Sequence, residues 1–311
     1  MVGSSLTSAE FHVAVTGASG LIGRALVQRL TSMGYRVRPV VRRTARPGEV
    51  SWNPEDGRLD PRDLEGLDAV VHLAGENIGA RWTARRKDRI RSSRLLGTHL
   101  LSDTLAGLKN PPRVMIAGSA IGIYGNREDE ILTEESLPGE PSHDFLARLG
   151  KEWEGAADPA RAAQIRVVHP RFGLVLSPRG GVLARMLLPF RLGLGGRLGN
   201  GSQWMSWVSI GDAVDALIHL LTTNSLSGPV NVTAPNPVRN RDFTRTLGRV
   251  LSRPTVFSVP SPALRLAFGE MADATLLSSA RVMPRRLLAS GFHFKNPDLE
   301  GALRHVLQEE L

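Results

Sequence analysis

The stretch His12-Val13-Ala14-Val15-Thr16-Gly17-Ala18-Ser19-Gly20-Leu21-Ile22-Gly23 decides the fold. A short apolar run, the pattern of a buried strand, ends in G-x-x-G-x-x-G. Leu21, Ile22, Ala25, Leu26 and Leu30 then repeat at helical spacing, and Gly34 closes the helix predicted over Leu21 to Met33. Strand, glycine turn and helix in that order bring backbone N–H groups up to a diphosphate. A Cβ in the turn would block that approach, and the helix N-terminus adds partial positive charge.

Outward from this turn, Val37 to Val41 forms a second predicted strand ending at Arg42-Arg43. A chain that prefers NAD offers an acidic residue about 20 residues after the turn to bind the ribose 2′-OH. Two arginines there suit a 2′-phosphate instead, which favours NADP(H) with NAD(H) still possible. In a chain this rich in arginine the pair also reads as two exposed surface residues.

Further strands are predicted at Ala69 to Leu73, Arg113 to Ala117 and Ile165 to His169. Helices are predicted at about Trp82 to Leu108 and at Phe145 to Ala163, so strand and helix alternate. That alternation predicts an α/β fold, a doubly wound parallel sheet of the Rossmann kind. Past Pro170 glycines multiply. A helix over Val182 to Phe190, a strand at Trp207 to Ile210, a helix over Asp212 to Leu221 and a strand at Pro229 to Val232 follow. From Arg239 helices dominate, punctuated by Pro254, Pro260, Pro262 and Pro284. The expected organisation is a flexible tail over 1–10, then a cofactor-binding domain from 11–175 plus about 207–235. A smaller, mainly helical C-terminal substrate lobe takes about 176–206 plus 236–311, with a small closing domain near 253–303.

The 311 residues carry 39 Lys+Arg against 30 Asp+Glu, a net charge of +9, and no cysteine. Disulfides, thiolate metal sites and a cysteine nucleophile are excluded. No apolar run reaches the roughly 18–20 residues that span a bilayer, and Met1 to Glu10 lacks the pattern of a secretory signal. The expectation is a cytoplasmic protein, monomeric or homodimeric, with a small-molecule substrate and no membrane partner. The run from Arg81 to Arg94 reads either as a solvated helix face or as a phosphate-binding stripe. Only Trp82 among the aromatics falls in it, with none between the basic residues from Arg85 on, so a nucleic-acid partner is not expected. Scattered histidines give no metal site, and no G-x-S-x-G elbow occurs.

The glycine turn resembles that of the short-chain dehydrogenase/reductase superfamily, in its extended, nucleotide-sugar-epimerase-like branch. Four further stretches resemble one atypical group labelled epimerase family protein, or NAD-dependent epimerase/dehydratase. They are Trp52-Asn53-Pro54, His72 to Ile78, Gly201 to Trp207 and Ala234 to Asn240. Pro284 to Leu288 and Gly291-Phe292 resemble that group's C-terminal domain of unknown function. The resemblance implies that Gly17, Ser19, Gly20, Leu21, Ile22 and Gly23 line the pyrophosphate. Arg42 and Arg43 would meet the adenosine phosphate, with Leu73, Ala74 and Gly75 along the adenine-ribose side. Glu76, Asn77 and Ser119 follow strand ends, where such sheets open their ligand crevice.

The superfamily's chemistry rests on Y-x-x-x-K, and this chain lacks the pair. Four residues after Tyr35 stands Pro39, four after Tyr124 stands Glu128, and four before Lys151 stands Ala147. Ser119 occupies the substrate-orienting position, unless anchoring on Tyr124-Gly125 moves that position to Ala120. Tyr124 is a pocket wall or a base, and Glu76 is an acid/base or a loop anchor. Gln203 and Trp204 could shape a pocket, whereas Trp207 reads as core. Two functions follow: an NADP(H)-dependent oxidoreductase or epimerase with an atypical acid/base group, or a catalytically silent NADP(H)-binding sensor or scaffold.

Overall fold

The structure, a computed structural model, describes residues 11–308. The tail expected over residues 1–10 lies outside the described residues. Seven parallel strands form the body of the nine-stranded central sheet: β1 (His12–Thr16), β2 (Arg36–Val41), β3 (Val50–Asn53), β4 (Ala69–His72), β5 (Val114–Ala117), β6 (Arg166–Phe172) and β7 (Gly228–Val232). They lie parallel in the order β3-β2-β1-β4-β5-β6-β7. The two-residue strand Arg58–Leu59 adds antiparallel to β3. The order reverses between β1 and β4, the point where doubly wound sheets open a ligand crevice beyond their C-terminal strand ends.

The helices, in chain order, are α1 (Leu21–Ser32), α2 (Ala84–Ala106), α3 (Phe145–Gly155), α4 (Asp158–Ala162), α5 (Gly181–Arg191), α6 (Ile210–Thr222), α7 (Asn240–Val250), α8 (Ser261–Phe268), α9 (Arg285–Ala289) and α10 (Leu299–Gln308). Alternation along β1 sorts the two covering layers. Val13 and Val15 pack with Leu26 and Leu30 of α1 and Leu217 and Leu220 of α6. Ala14 faces the other way, into a core with Leu101 and Leu105 of α2 and Ala160 of α4. A third core joins Leu183 and Leu187 of α5, Phe243 and Leu247 of α7, and Leu303 of α10 around the fully buried Trp207.

Three features depart from the sequence expectations. The single helix expected over Phe145 to Ala163 is two, because Asp158-Pro159 starts α4 afresh. β6 continues through Pro170 to Phe172. It pairs with β5 only over Arg166–Val168 and next with Ser119–Ala120 at Arg171–Phe172, so Pro170 falls where the ladder on that side is interrupted. Short strand pairings that the sequence did not announce stitch the C-terminal part together and to the segment at Ile131–Leu132. Gly196–Leu198 pairs with Phe257–Val259, Trp204–Met205 with Val238–Arg239, and Ile131–Leu132 with Arg281–Val282.

Candidate functional site

Gly17 has φ +66, and a Cβ there would lie 2.7 Å from the backbone carbon of Leu73. Only glycine lets the turn sit this close to the end of β4. A Cβ on Gly23 would strike the Gly17 carbonyl, so this glycine seats α1 against the turn. Thr16 fixes the same junction. Its Oγ1 accepts from the N–H groups of Leu73 (3.1 Å) and Ala74 (3.2 Å) and lies 2.7 Å from Nδ1 of the buried His72. With two donors already on that oxygen, the hydroxyl hydrogen points to Nδ1. α1 starts at Gly20 with no side-chain cap and no acid in its first turn, and Ser19 and Gly20 are exposed. Free N–H groups, partial positive charge and an absent Cβ fit the diphosphate of a dinucleotide.

Arg42 and Arg43 stand at the end of β2, both exposed. Arg43 donates from Nη1 (2.7 Å) and Nη2 (2.6 Å) to the carboxylate of Glu49. That pairing, with the Arg46 N–H, holds the Glu49 carboxyl down at about 2. Arg42 makes no hydrogen bond or ion pair with any described residue. The two arginines are thus unequal, one pinned and one available to an incoming anion.

Leu73, Ala74 and Gly75 continue from β4 and border the turn. A Cβ on Gly75 would come within 3.4 Å of the Arg94 guanidinium. Arg94 donates to the Glu76 carbonyl (3.1 Å) and stacks 4.9 Å from the Trp153 ring. Burial lowers the Arg94 pKa to about 10, against the opposing pull of the Glu76 charge. The Glu76 side chain is half-buried, and the neighbouring Asn77 is exposed. Beyond them the loop is tied from above. Arg185 of α5 donates to the Gly79 carbonyl, Arg81 donates to the Leu266 carbonyl (2.7 Å), and Lys87 pairs with Glu270 at 2.9 Å.

Ser119 and Tyr124 are both buried. Ser119 is turned inward, 2% exposed, and its hydroxyl donates to Glu154 Oε1 at 2.7 Å; Ala120 is the exposed residue of the pair. Tyr124 is fully buried, donates to Asn231 Oδ1 (2.8 Å) and accepts from Arg171 Nη1 (2.9 Å). Burial raises its pKa, outweighing the nearby Arg171 charge. Arg171 also grips both oxygens of Glu154, each at 2.8 Å. Burial alone would push the Glu154 carboxyl up, but this pairing holds it below the usual carboxylate range. Both hydroxyls therefore belong to one buried network rather than to the crevice surface. Lys151 points to solvent. Glu154, Arg171 and Asn231 were not singled out in the sequence, where no local pattern joins them.

Residues 13–233 match the NAD dependent epimerase/dehydratase family, and residues 259–306 match a domain of unknown function, DUF1731. The chain belongs to the NAD dependent epimerase/dehydratase family. It is 45% identical over 296 residues to an epimerase family protein of Mycobacterium bovis, covering 94% of this chain and 97% of the relative. The human epimerase family protein SDR39U1, solved with NADPH, superimposes with a TM-score of 0.87 at 35% identity, covering 96% of this chain and 99% of that one. A nucleoside-diphosphate sugar epimerase from Corynebacterium glutamicum superimposes at 0.80 and 36%, covering 96% of this chain and 59% of that one.

This epimerase-family chain carries a polar cavity of about 470 Å³, with Asn126, Asp129, Asn200, Arg239 and Ser279 among its walls. Trp204 stands near it, with the guanidinium groups of Arg239 (4.7 Å) and Arg281 (4.4 Å) over its ring, and its Nε1–H donates to Asp129 at 2.7 Å. Gln203 lines this cavity too; it is buried, and its amide donates to the Leu198 and Leu276 carbonyls. Among the described residues no cluster of three potential ligands for a metal exists, and no helix is long and apolar enough to cross a membrane.

Proposed function

We propose that this chain binds NADP(H) and acts as an oxidoreductase or epimerase on a small hydroxy, carbonyl or sugar-nucleotide-like substrate. One observation carries the reading: an uncapped glycine turn at the β1–α1 junction lies beside a β2 end whose Arg42 is unpartnered. Gly17, Ser19, Gly20, Leu21, Ile22 and Gly23 would hold the diphosphate, Arg42 with Arg43 the 2′-phosphate, and Leu73, Ala74 and Gly75 the adenosine side. The human relative solved with NADPH supports the cofactor choice. The bound coenzyme supplies or accepts the hydride. With Ser119 and Tyr124 sequestered, Glu76 is the strand-end carboxylate left to move the proton at the substrate oxygen.

The same sequestration favours a second reading, a catalytically silent NADP(H) sensor or scaffold. Calorimetry separates the cofactor question from the chemistry. NADPH binds more tightly than NADH, and Arg42→Ala removes about tenfold or more of the NADPH affinity while sparing NADH. Equal affinities in the unaltered protein would defeat the arginine assignment. Turnover of bound NADPH with any of a panel of carbonyl compounds, lost in Glu76→Gln, supports the enzyme. Tight binding without turnover supports the sensor.

A further inference from the structure

We propose that Arg179 is a positioning residue for the diphosphate, closing the cradle from the side opposite the glycine turn. This rests on the NADP(H) reading above. Arg179 lies in the turn that follows the strand Leu174–Leu176, where Ser177 and Gly180 form a bridge. Its backbone N–H donates to Ser177 Oγ at 3.2 Å, which fixes the turn. The turn presses on the first residue of α1. A Cβ on Gly180 would come within 3.2 Å of Leu21 Cδ1, and one on Gly181 within 3.4 Å of Leu21 Cδ2. Arg179 therefore adjoins a glycine that lies against the side chain of Leu21, the first residue of α1. It is exposed, and its guanidinium has no hydrogen-bond or ion-pair partner among the described residues.

Its surroundings make that lack of a partner meaningful. α1 begins with no capping side chain and no acid in its first turn, and α5, which Gly180 caps, begins the same way. From residue 159 to residue 211 the sequence contains no aspartate or glutamate. A guanidinium is favoured at helix C-termini and disfavoured at N-termini. An anion lying between the two reverses that balance, because it meets the free N–H groups on one side and the guanidinium on the other. A diphosphate above Leu21 and Ile22 is such an anion. Arg42 stands elsewhere, at the end of β2, so the two arginines serve different phosphates.

Calorimetric titration of the whole chain with NADPH, NADH and adenosine 2′-monophosphate reads the two phosphate sites separately. Arg179→Ala weakens NADPH and NADH alike, by about tenfold, and leaves adenosine 2′-monophosphate unchanged. Arg179→Lys recovers part of the loss. Arg42→Ala does the reverse, weakening NADPH and adenosine 2′-monophosphate and sparing NADH. Arg179→Gln keeps the aliphatic stem and a polar end without the charge, and gives the same answer if the alanine variant melts early. Unchanged NADPH and NADH affinity in both variants overturns the proposal while leaving the cofactor reading intact. A loss confined to NADPH also overturns it, by moving Arg179 to the 2′-phosphate. An unaltered protein that binds none of the three probes overturns the cofactor reading itself, and this proposal with it.

Discussion

A single methyl group at Gly17 would meet the Leu73 backbone and would also force a side chain into φ +66. Gly17→Ala is therefore expected to lose more than about 1 kcal/mol of stability and most of its coenzyme affinity, read by chemical denaturation and calorimetry. His72 supplies a second test. Burial, with a smaller push from Arg94, lowers its pKa to about 4 from 6.5. Between those values the unfolded chain takes a proton that the folded chain refuses, so stability falls as pH drops from 6.5 and this share is gone below 4. The ceiling is about 3 kcal/mol. His72→Asn keeps an acceptor for the Thr16 hydroxyl and should flatten the pH dependence of urea unfolding across that window; an unchanged slope refutes the account. The glycines were legible in the sequence because a positive φ and a close approach admit no other residue. The roles of Ser119 and Tyr124 were not. Their partners Glu154, Arg171 and Asn231 stand 35, 47 and 107 positions away, and only the folded sheet brings them together.

The loop from Glu76 to Trp82 is held by the C-terminal segment. Met271 packs in one buried cluster with Trp82, Ile90, Phe145 and Leu149, with Ile78 and Phe268 at its margin. A π-helical turn, Ala272–Leu276, follows at once, an irregularity common at functional sites. The domain of unknown function thus sets the position of a loop that borders the crevice. Met271→Ala should cost about 2–4 kcal/mol and raise amide exchange in residues 76–82 more than in β1 or β5. Uniform exchange changes would refute a local tie. At this scale the strong periodic elements were readable, with boundaries off by a few residues: β1, α1, β4, β5 and α6 carry their own patterns. β3 and the two-residue strands of the lobe were not, because so short a pairing leaves no period to detect and is imposed by its neighbour.

Over the whole molecule the net charge is +9. In the run from Arg81 to Arg94, Arg81, Arg86, Lys87, Arg91 and Arg94 all engage groups of the protein itself. Duplex DNA should be retained in a gel shift at 50 mM salt and released by about 200 mM, whatever its sequence. Retention that survives the higher salt, or favours one sequence, would contradict that expectation. Trp204 has a use of its own. Its indole is clasped by guanidinium groups from two separate stretches of chain and tethered to Asp129 from a third. Of the three only Arg281 belongs to the closing domain, so its departure would uncover more of this half-buried ring and redden its emission, an optical gauge of that domain's seating once the other four tryptophans are replaced.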